Sequence, residues 1–180
     1  MSPRPTAYRY EPLLRKLDRS VEGLMERQIQ NPDHDGVGGF ISPDDGLVGP
    51  NGISSVATYG YAYLLPGASL HGDLDLVQRI EDAAAWARRK RTAGGRFDLL
   101  ATNFDSSPDT GFTVQALAPV VRAAQQQEGD DEGARRIAAA LGEIIRTAAP
   151  GMVAGGFHTP NHRWVLVSAL SMTCELFPDL

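Results

Sequence analysis

The densest concentration of polar chemistry in the chain is Gly155-Gly156-Phe157-His158-Thr159-Pro160-Asn161-His162-Arg163-Trp164, which runs directly into an apolar segment with helical spacing. With Asn161 as the N-cap, His162 and Arg163 occupy the first helical turn, where unpaired backbone N–H groups and the helix dipole favour an anion. A basic residue in a first turn works against that dipole, so Arg163 needs another reason to be there; a bidentate contact to a carboxylate supplies one. Trp164 offers a flat face for a sugar ring, and the paired glycines let the backbone approach a ligand closely. Each residue also has an ordinary role to weigh: a helix cap for Asn161, a solvated or core-satisfied imidazole for His162, a core indole for Trp164. His158 and His162 stand four residues apart, a metal-ligand spacing. Pro160 falls between them, however, and no carboxylate accompanies them, so neither a metal nor a cofactor is expected.

A second polar group, Asn103, Asp105, Ser107, Asp109 and Thr110, precedes another helical pattern. Asn103 and Asp109 are candidates to hydrogen-bond substrate hydroxyls. The competing reading is helix capping by Ser106 or Ser107, with Asp109 complementing the dipole. Arg88-Arg89-Lys90-Arg91, with Arg96, forms a local positive patch that also reads as a basic helix end. His34 and His71 sit in loops and read as solvated. The single cysteine, Cys174, excludes an internal disulfide and a cysteine-based metal cluster. Its place in an apolar helical pattern predicts burial.

The elements that position these groups are helical. Apolar spacing predicts a first helix over about residues 9–30, stopped by Asn31-Pro32. A second starts at Ser54 or Ser55 and ends at Pro66-Gly67. A third is capped by Asp73 and ended by Gly94-Gly95. The fourth starts at Ser107-Pro108 and carries Pro119, which should kink it. The fifth holds Ile137, Leu141, Ile144 and Ile145 and ends at Pro150-Gly151. The sixth points Val165, Leu166, Ala169, Leu170, Thr173 and Leu176 inward. Strand signals are nearly absent. The long connections, 32–53, 94–107 and 150–161, fall at every second junction, so antiparallel hairpins place all three at one end of the stack. The expected fold is all-α: helical hairpins forming part of an incomplete (α/α) toroid of about six helices.

The chain has 180 residues, 42% of them hydrophobic, which suits a single helical domain over 1–180. No apolar run approaches the roughly 18 residues of a membrane span. Residues 1–10 lack the apolar segment of a secretory signal, so a cytoplasmic protein is expected. The net charge of −5 disfavours nucleic acid as a partner, and an acidic substrate would depend on local positive charge.

The segment Gly155-Gly156-Phe157-His158-Thr159-Pro160-Asn161-His162-Arg163-Trp164-Val165-Leu166-Val167-Ser168-Ala169-Leu170-Ser171-Met172 resembles the Asn-His segment in the toroid of heparinase II/III-like polysaccharide lyases and related alginate lyases. The resemblance covers about the last half of the chain. It implies that Asn161 and His162 neutralise the carboxylate of a uronic acid in an acidic polysaccharide or oligosaccharide, which is then cleaved by β-elimination. It adds Arg163, Trp164, His158, Asn103 and Asp109 as substrate-binding candidates.

The family takes its acid/base tyrosine from later in the toroid and a further histidine from a C-terminal β-domain. In this chain Tyr8, Tyr10, Tyr59, Tyr61 and Tyr63 all precede the Asn-His pair. The chain is therefore expected to be an N-terminal part of a longer protein and inactive alone. An exposed apolar edge, where further helices would pack, would invite pairing of two copies. A competing resemblance places Asp109-Thr110-Gly111-Phe112 beside the aspartate turn of unsaturated glucuronyl hydrolases, also α/α barrels, with Asp105 or Asp45 as a possible second carboxylate. A helical interaction module without catalysis is the third reading.

Overall fold

The computed structural model describes residues 10–155 and 159–180. The chain is mostly helical, with six α-helices and one small hairpin among the described residues. Helix α1 spans Glu11–Met25, and a 3-10 segment, Pro50–Val56, runs directly into α2, Ala57–Leu64. Helix α3 spans Leu74–Lys90, α4 Ser107–Gln125, α5 Glu132–Val153 and α6 Pro160–Leu176. Strands β1, Phe97–Leu99, and β2, Asn103–Ser106, lie between α3 and α4 and pair antiparallel.

Local chemistry sets most of these boundaries. The Asp73 carboxylate accepts from the Asp75 amide at 2.9 Å to start α3, whose last turn carries Arg88, Arg89 and Lys90 against the negative end of the dipole. Asp131 caps α5 in the same way through the Ala134 amide, 2.9 Å away. Ser106, rather than Ser107, caps α4, and Pro108 follows in the first turn where its missing N–H costs nothing.

The helices form two layers of α/α hairpins. In one layer α3 and α5 run parallel, since Glu81 pairs with Arg136, Arg88 with Glu143 and Arg91 with Thr147, in the same order along both helices. In the other, α2, α4 and α6 run parallel. Gly60 of α2 meets Val120 of α4 so closely that a Cβ would lie 2.3 Å from Val120 Cγ1. Gln115 of α4 donates to the Val165 carbonyl of α6 at 3.3 Å, and Arg122 pairs with Glu175 further along. Helix α1 packs antiparallel to α2. The core lies between the layers and is filled by fully buried Tyr59, Leu76, Ile80, Trp86, Phe97, Leu117, Ile137, Leu141 and Ile144.

This arrangement brings the three long connections to one end. Gly151 lies against Gly94 and Arg96, Ser107 donates to the Gly151 carbonyl, and Leu100 of the hairpin tip approaches Gly49. The opposite end holds the short turns, tied by a 2.6 Å hydrogen bond from the Tyr63 hydroxyl to Asp131.

Several expectations need correction. Helix α1 ends at Met25, five residues early, because Ile29 and Ile41 turn back to bond across the following loop and Gln28 bridges to Phe40. The second helix begins earlier than Ser54, as a 3-10 turn opened by Pro50. A hairpin stands where a structureless loop was expected. Its period-2 pattern is only three or four residues long, too short to read, and it is held by tertiary bonds. The Thr110 hydroxyl donates to the Ser106 carbonyl at 2.7 Å and accepts from the Phe97 amide at 2.9 Å. Helix α5 passes through Pro150 to Val153, because Arg96 and Ser107 hold the Gly151 carbonyl of its last turn. Cys174 is exposed rather than buried, since it lies off the Leu166, Ala169, Thr173 and Leu176 face that packs inward.

Candidate functional site

The N-terminal turns of α4 and α6 lie side by side at the loop end. A Cβ on Gly111 would sit 3.0 Å from Val165 Cγ1 and 3.3 Å from Leu166 Cδ2, so the side chains of α6 pack directly onto the α4 backbone there. This packing brings the Asn103–Phe112 segment and the Asn161–Trp164 turn to neighbouring positions.

In α6 the cap is Thr159, not Asn161. The helix begins at Pro160, whose ring suits a first-turn position, and the Arg163 amide closes the first turn on the Thr159 carbonyl at 3.2 Å. Asn161 is exposed in that turn, where its Oδ1 accepts from the Thr159 hydroxyl at 2.5 Å. That bond uses the acceptor end of the amide and leaves its two N–H groups to donate. His162 is half-buried and stands one turn before buried Leu166, on the side facing α4. Arg163 is exposed and makes no ion pair among the described residues. Trp164 is 76% exposed. The i, i+3 spacing puts it on the same face as Asn161, whereas His162 lies about 100° around the helix from Asn161, on the side towards α4. An open groove of about 410 Å³ continues from Trp164 past Val167, Ser168 and Met172 to the Arg122–Glu175 pair. His158 lies outside the described residues.

Around α4 the carboxylate of Asp109 is occupied. Its Oδ2 accepts from Asn103 Nδ2 at 3.1 Å and from the Ser106 hydroxyl, while the Asp109 amide donates back to Ser106 Oγ at 3.3 Å. The Ser106 hydroxyl caps the Asp109 amide at the third helical position while donating to the carboxylate of the same residue. The capping role expected of Ser106 and Asp109 is thus present, and Asn103 is drawn into it.

Asp105 holds the hairpin to the end of α3. It adopts a left-handed backbone at φ 49°, bonds to Arg96 and accepts from the Thr92 hydroxyl at 2.5 Å. The Arg96 guanidinium, and then the Thr92 hydroxyl, hold its carboxyl below the usual carboxylate range. Asp45, the other carboxylate considered, lies in an exposed turn and accepts from the Leu47 amide at 3.0 Å.

The basic patch after α3 is structural: Arg88 bonds Glu143, Arg89 donates to the Val37 carbonyl, Arg91 to Thr147 and Arg96 to Asp105. His34 accepts from the Gly36 amide at 2.9 Å, and His71 Nδ1 lies 2.7 Å from the Tyr63 carbonyl. Burial pushes the Tyr59 and Tyr63 hydroxyls up to about 12; the first bonds Gln28 in the core and the second Asp131 at the far end. Neither stands at the loop end as an acid or base. Among the described residues no group of three or more histidine, cysteine, aspartate or glutamate side chains is placed to hold a metal.

Sequence reasoning missed Phe104 and Phe112, which are 70% and 49% exposed at the same end as Trp164. Their signal was available as aromatic residues beside Asn103 and Asp109, but a four-residue strand and the opening turns of a helix give no periodicity that tells inward from outward. No family model matches the chain, and comparisons with curated proteins and with solved structures find no match.

Proposed function

We propose that the loop end of this hairpin array binds a uronic-acid-containing glycan and contributes Asn161 and His162 to its cleavage by β-elimination. The observation that carries the proposal is the exposure of Trp164 on the Asn161 face of α6, with Phe112 exposed on the neighbouring first turns of α4. An indole left in water is a stacking surface for a sugar ring, and the Asn161 amide beside it has its donors available.

In the reaction a base takes the C5 proton of the uronate. The C5–H electron pair forms the C4–C5 double bond, and the 4-O glycosidic bond breaks with its electrons leaving on oxygen. Charge builds on the carboxylate during proton removal. Hydrogen bonds from Asn161, with His162 one residue on, lower the energy of that charge in the manner of an oxyanion hole. The proton acceptor lies outside the residues assigned here, so the isolated chain binds glycan without turning it over. The glycosidase reading loses ground because the Asp109 carboxylate is already engaged by Ser106 and Asn103.

The test is titration of the chain with oligoglucuronate and oligogalacturonate, read by the intrinsic fluorescence of exposed Trp164. Saturable quenching is expected, lost in Trp164→Ala and weakened at least tenfold in Asn161→Ala. Quenching that is absent, or unchanged in Asn161→Ala, rejects the proposal. In any longer protein that yields unsaturated product, the paired Asn161→Ala and His162→Ala changes should abolish the ultraviolet absorbance rise without altering the fold.

A further inference from the structure

A second groove lies at the α1 edge of the array, away from α6. It is an open cleft of about 390 Å³ between the last turns of α1 and the start of α2, with Arg19, Gly23 and Arg27 on one wall and Pro43, Ser55 and Thr58 on the other. It continues past Arg27 into a recess of about 170 Å³ reaching Ser42, Asn51 and Ser54.

Arg19 and Gly23, four residues apart, share a face of α1, and Arg27 lies in the turn that follows Met25, its guanidinium drawn back to the Gly23 carbonyl. Between them Gly23 leaves a notch: a Cβ placed there meets nothing within 4 Å. A glycine in right-handed helical backbone costs about 0.5–1 kcal/mol against alanine, so this one forgoes stability where there is room for a side chain.

The electrostatics are unusual for a chain with 22 acidic against 17 basic residues. Arg79, Arg88, Arg96, Arg122, Arg136 and Arg146 each pair with a carboxylate. Arg27 instead donates from Nε to the Gly23 carbonyl at 3.2 Å and from Nη1 to the Ile41 carbonyl at 3.5 Å. Two backbone carbonyls orient the guanidinium, and neither neutralises it. No aspartate or glutamate lines either part of the cleft. The acidic residues closest in sequence, Glu22, Glu26, Asp44 and Asp45, are exposed outside it. The facing wall offers the hydroxyls of Ser55 and Thr58.

From these observations we infer that the Arg19–Gly23–Arg27 groove binds an acidic sugar, its oxyanion on the Arg27 guanidinium and its hydroxyls on Ser55 and Thr58. A planar guanidinium held in place, uncompensated and beside neutral hydroxyls, suits an oxyanion carried on a hydroxylated ring. The inference does not depend on the reading of α6, and a different set of variants tests it.

The experiment is calorimetric titration of the chain with glucuronate, glucose 6-phosphate, glucose and inorganic phosphate. Binding is expected for the two acidic sugars and not for glucose; which of the two binds more tightly identifies carboxylate or phosphate as the preferred oxyanion. Gly23→Leu should fold, since it fills open space and removes a helix glycine, yet weaken binding at least tenfold. Arg27→Gln should do the same, and Asn161→Ala should leave binding unchanged. A Gly23→Leu protein with native circular dichroism and undiminished binding overturns the inference. So does a wild-type chain that ignores both acidic sugars, or that binds inorganic phosphate as tightly as the sugar phosphate.

Discussion

Replacing Gly38 by alanine measures how firmly the first long loop is fixed to α3. Gly38 has φ 87°, and a Cβ there would lie 2.3 Å from the Asp82 carbonyl oxygen and 2.7 Å from its carbon. Both atoms belong to the backbone of α3, which cannot yield as a side chain would. The left-handed conformation alone costs a Cβ-bearing residue about 1–2 kcal/mol. Relieving the clash requires the loop to move, which forfeits the hydrogen bond from Gln28 Nε2 to the Gly38 carbonyl, 3.3 Å, and that from the Gly38 amide to the Ile29 carbonyl, 2.9 Å. Each is worth about 1 kcal/mol, so the total loss should reach about 3–4 kcal/mol. Gly46 provides the control: φ is 73°, but nothing lies within 4 Å of its added Cβ. Gly46→Ala should therefore cost only the conformational part, about 1–2 kcal/mol. Urea unfolding followed by circular dichroism gives both values, with an unchanged slope confirming that stability alone has moved. Equal midpoint shifts for the two variants would refute the close approach of loop to helix.

Two further changes probe the polar scaffold of the loop end. Ser106→Ala removes the α4 cap and should lower stability by about 1 kcal/mol; a thermal midpoint equal to that of the wild type would show that the Ser106–Asp109 bonds contribute nothing. Asp105 and Glu81 have their carboxyls held below their ordinary values of 3.8 and 4.5, chiefly by Arg96 and Arg136 respectively. A depressed folded-state value means stability that is present above the ordinary value and lost as pH falls through the folded one, so the Glu81 pair starts to weaken as pH falls past 4.5 and the Asp105 pair as it falls past 3.8. Asp105→Asn keeps a residue that tolerates the left-handed backbone, and should lower stability at pH 7 while flattening its acid dependence. An acid slope identical to that of the wild type would assign the loss to other carboxylates.

Helices α3, α4 and α5 were the most legible, because each repeats its apolar pattern over several turns and announces its start with a side-chain cap. Asp73 and the Ser106-Ser107-Pro108 segment are examples. The gathering of the long connections at one end followed from their alternation with short ones. Features fixed by tertiary contact were hidden. The Phe97–Ser106 hairpin depends on Thr110, and the last turn of α5 depends on Arg96 and Ser107, partners remote from the backbone they hold. At the candidate site, the capping of α4 was readable from spacing. The division of Asn161 from His162 and the outward turn of Trp164 were not, because they depend on which face of α6 meets α4. The α1 groove escaped notice because its defining residue, Gly23, matters through the side chain it lacks.

The two-layer order gives the molecule a direction along which energy is shared. Helix α2 touches α4, and α4 touches α6, while α3 reaches α5 and not beyond. Each hairpin is thus coupled to its neighbours and almost independent of anything further away, as in a linear chain of nearest-neighbour units. Interior units such as α4 have a neighbour on each side; α6 has α4 and α5 on one side and water against Trp164 and Val167 on the other. Disorder in such a lattice enters from its ends. Among the described elements α6 packs on α4 and α5 alone, so anything that docks against its exposed face, whether ligand or protein, would confer on it the cooperativity that the interior hairpins already possess.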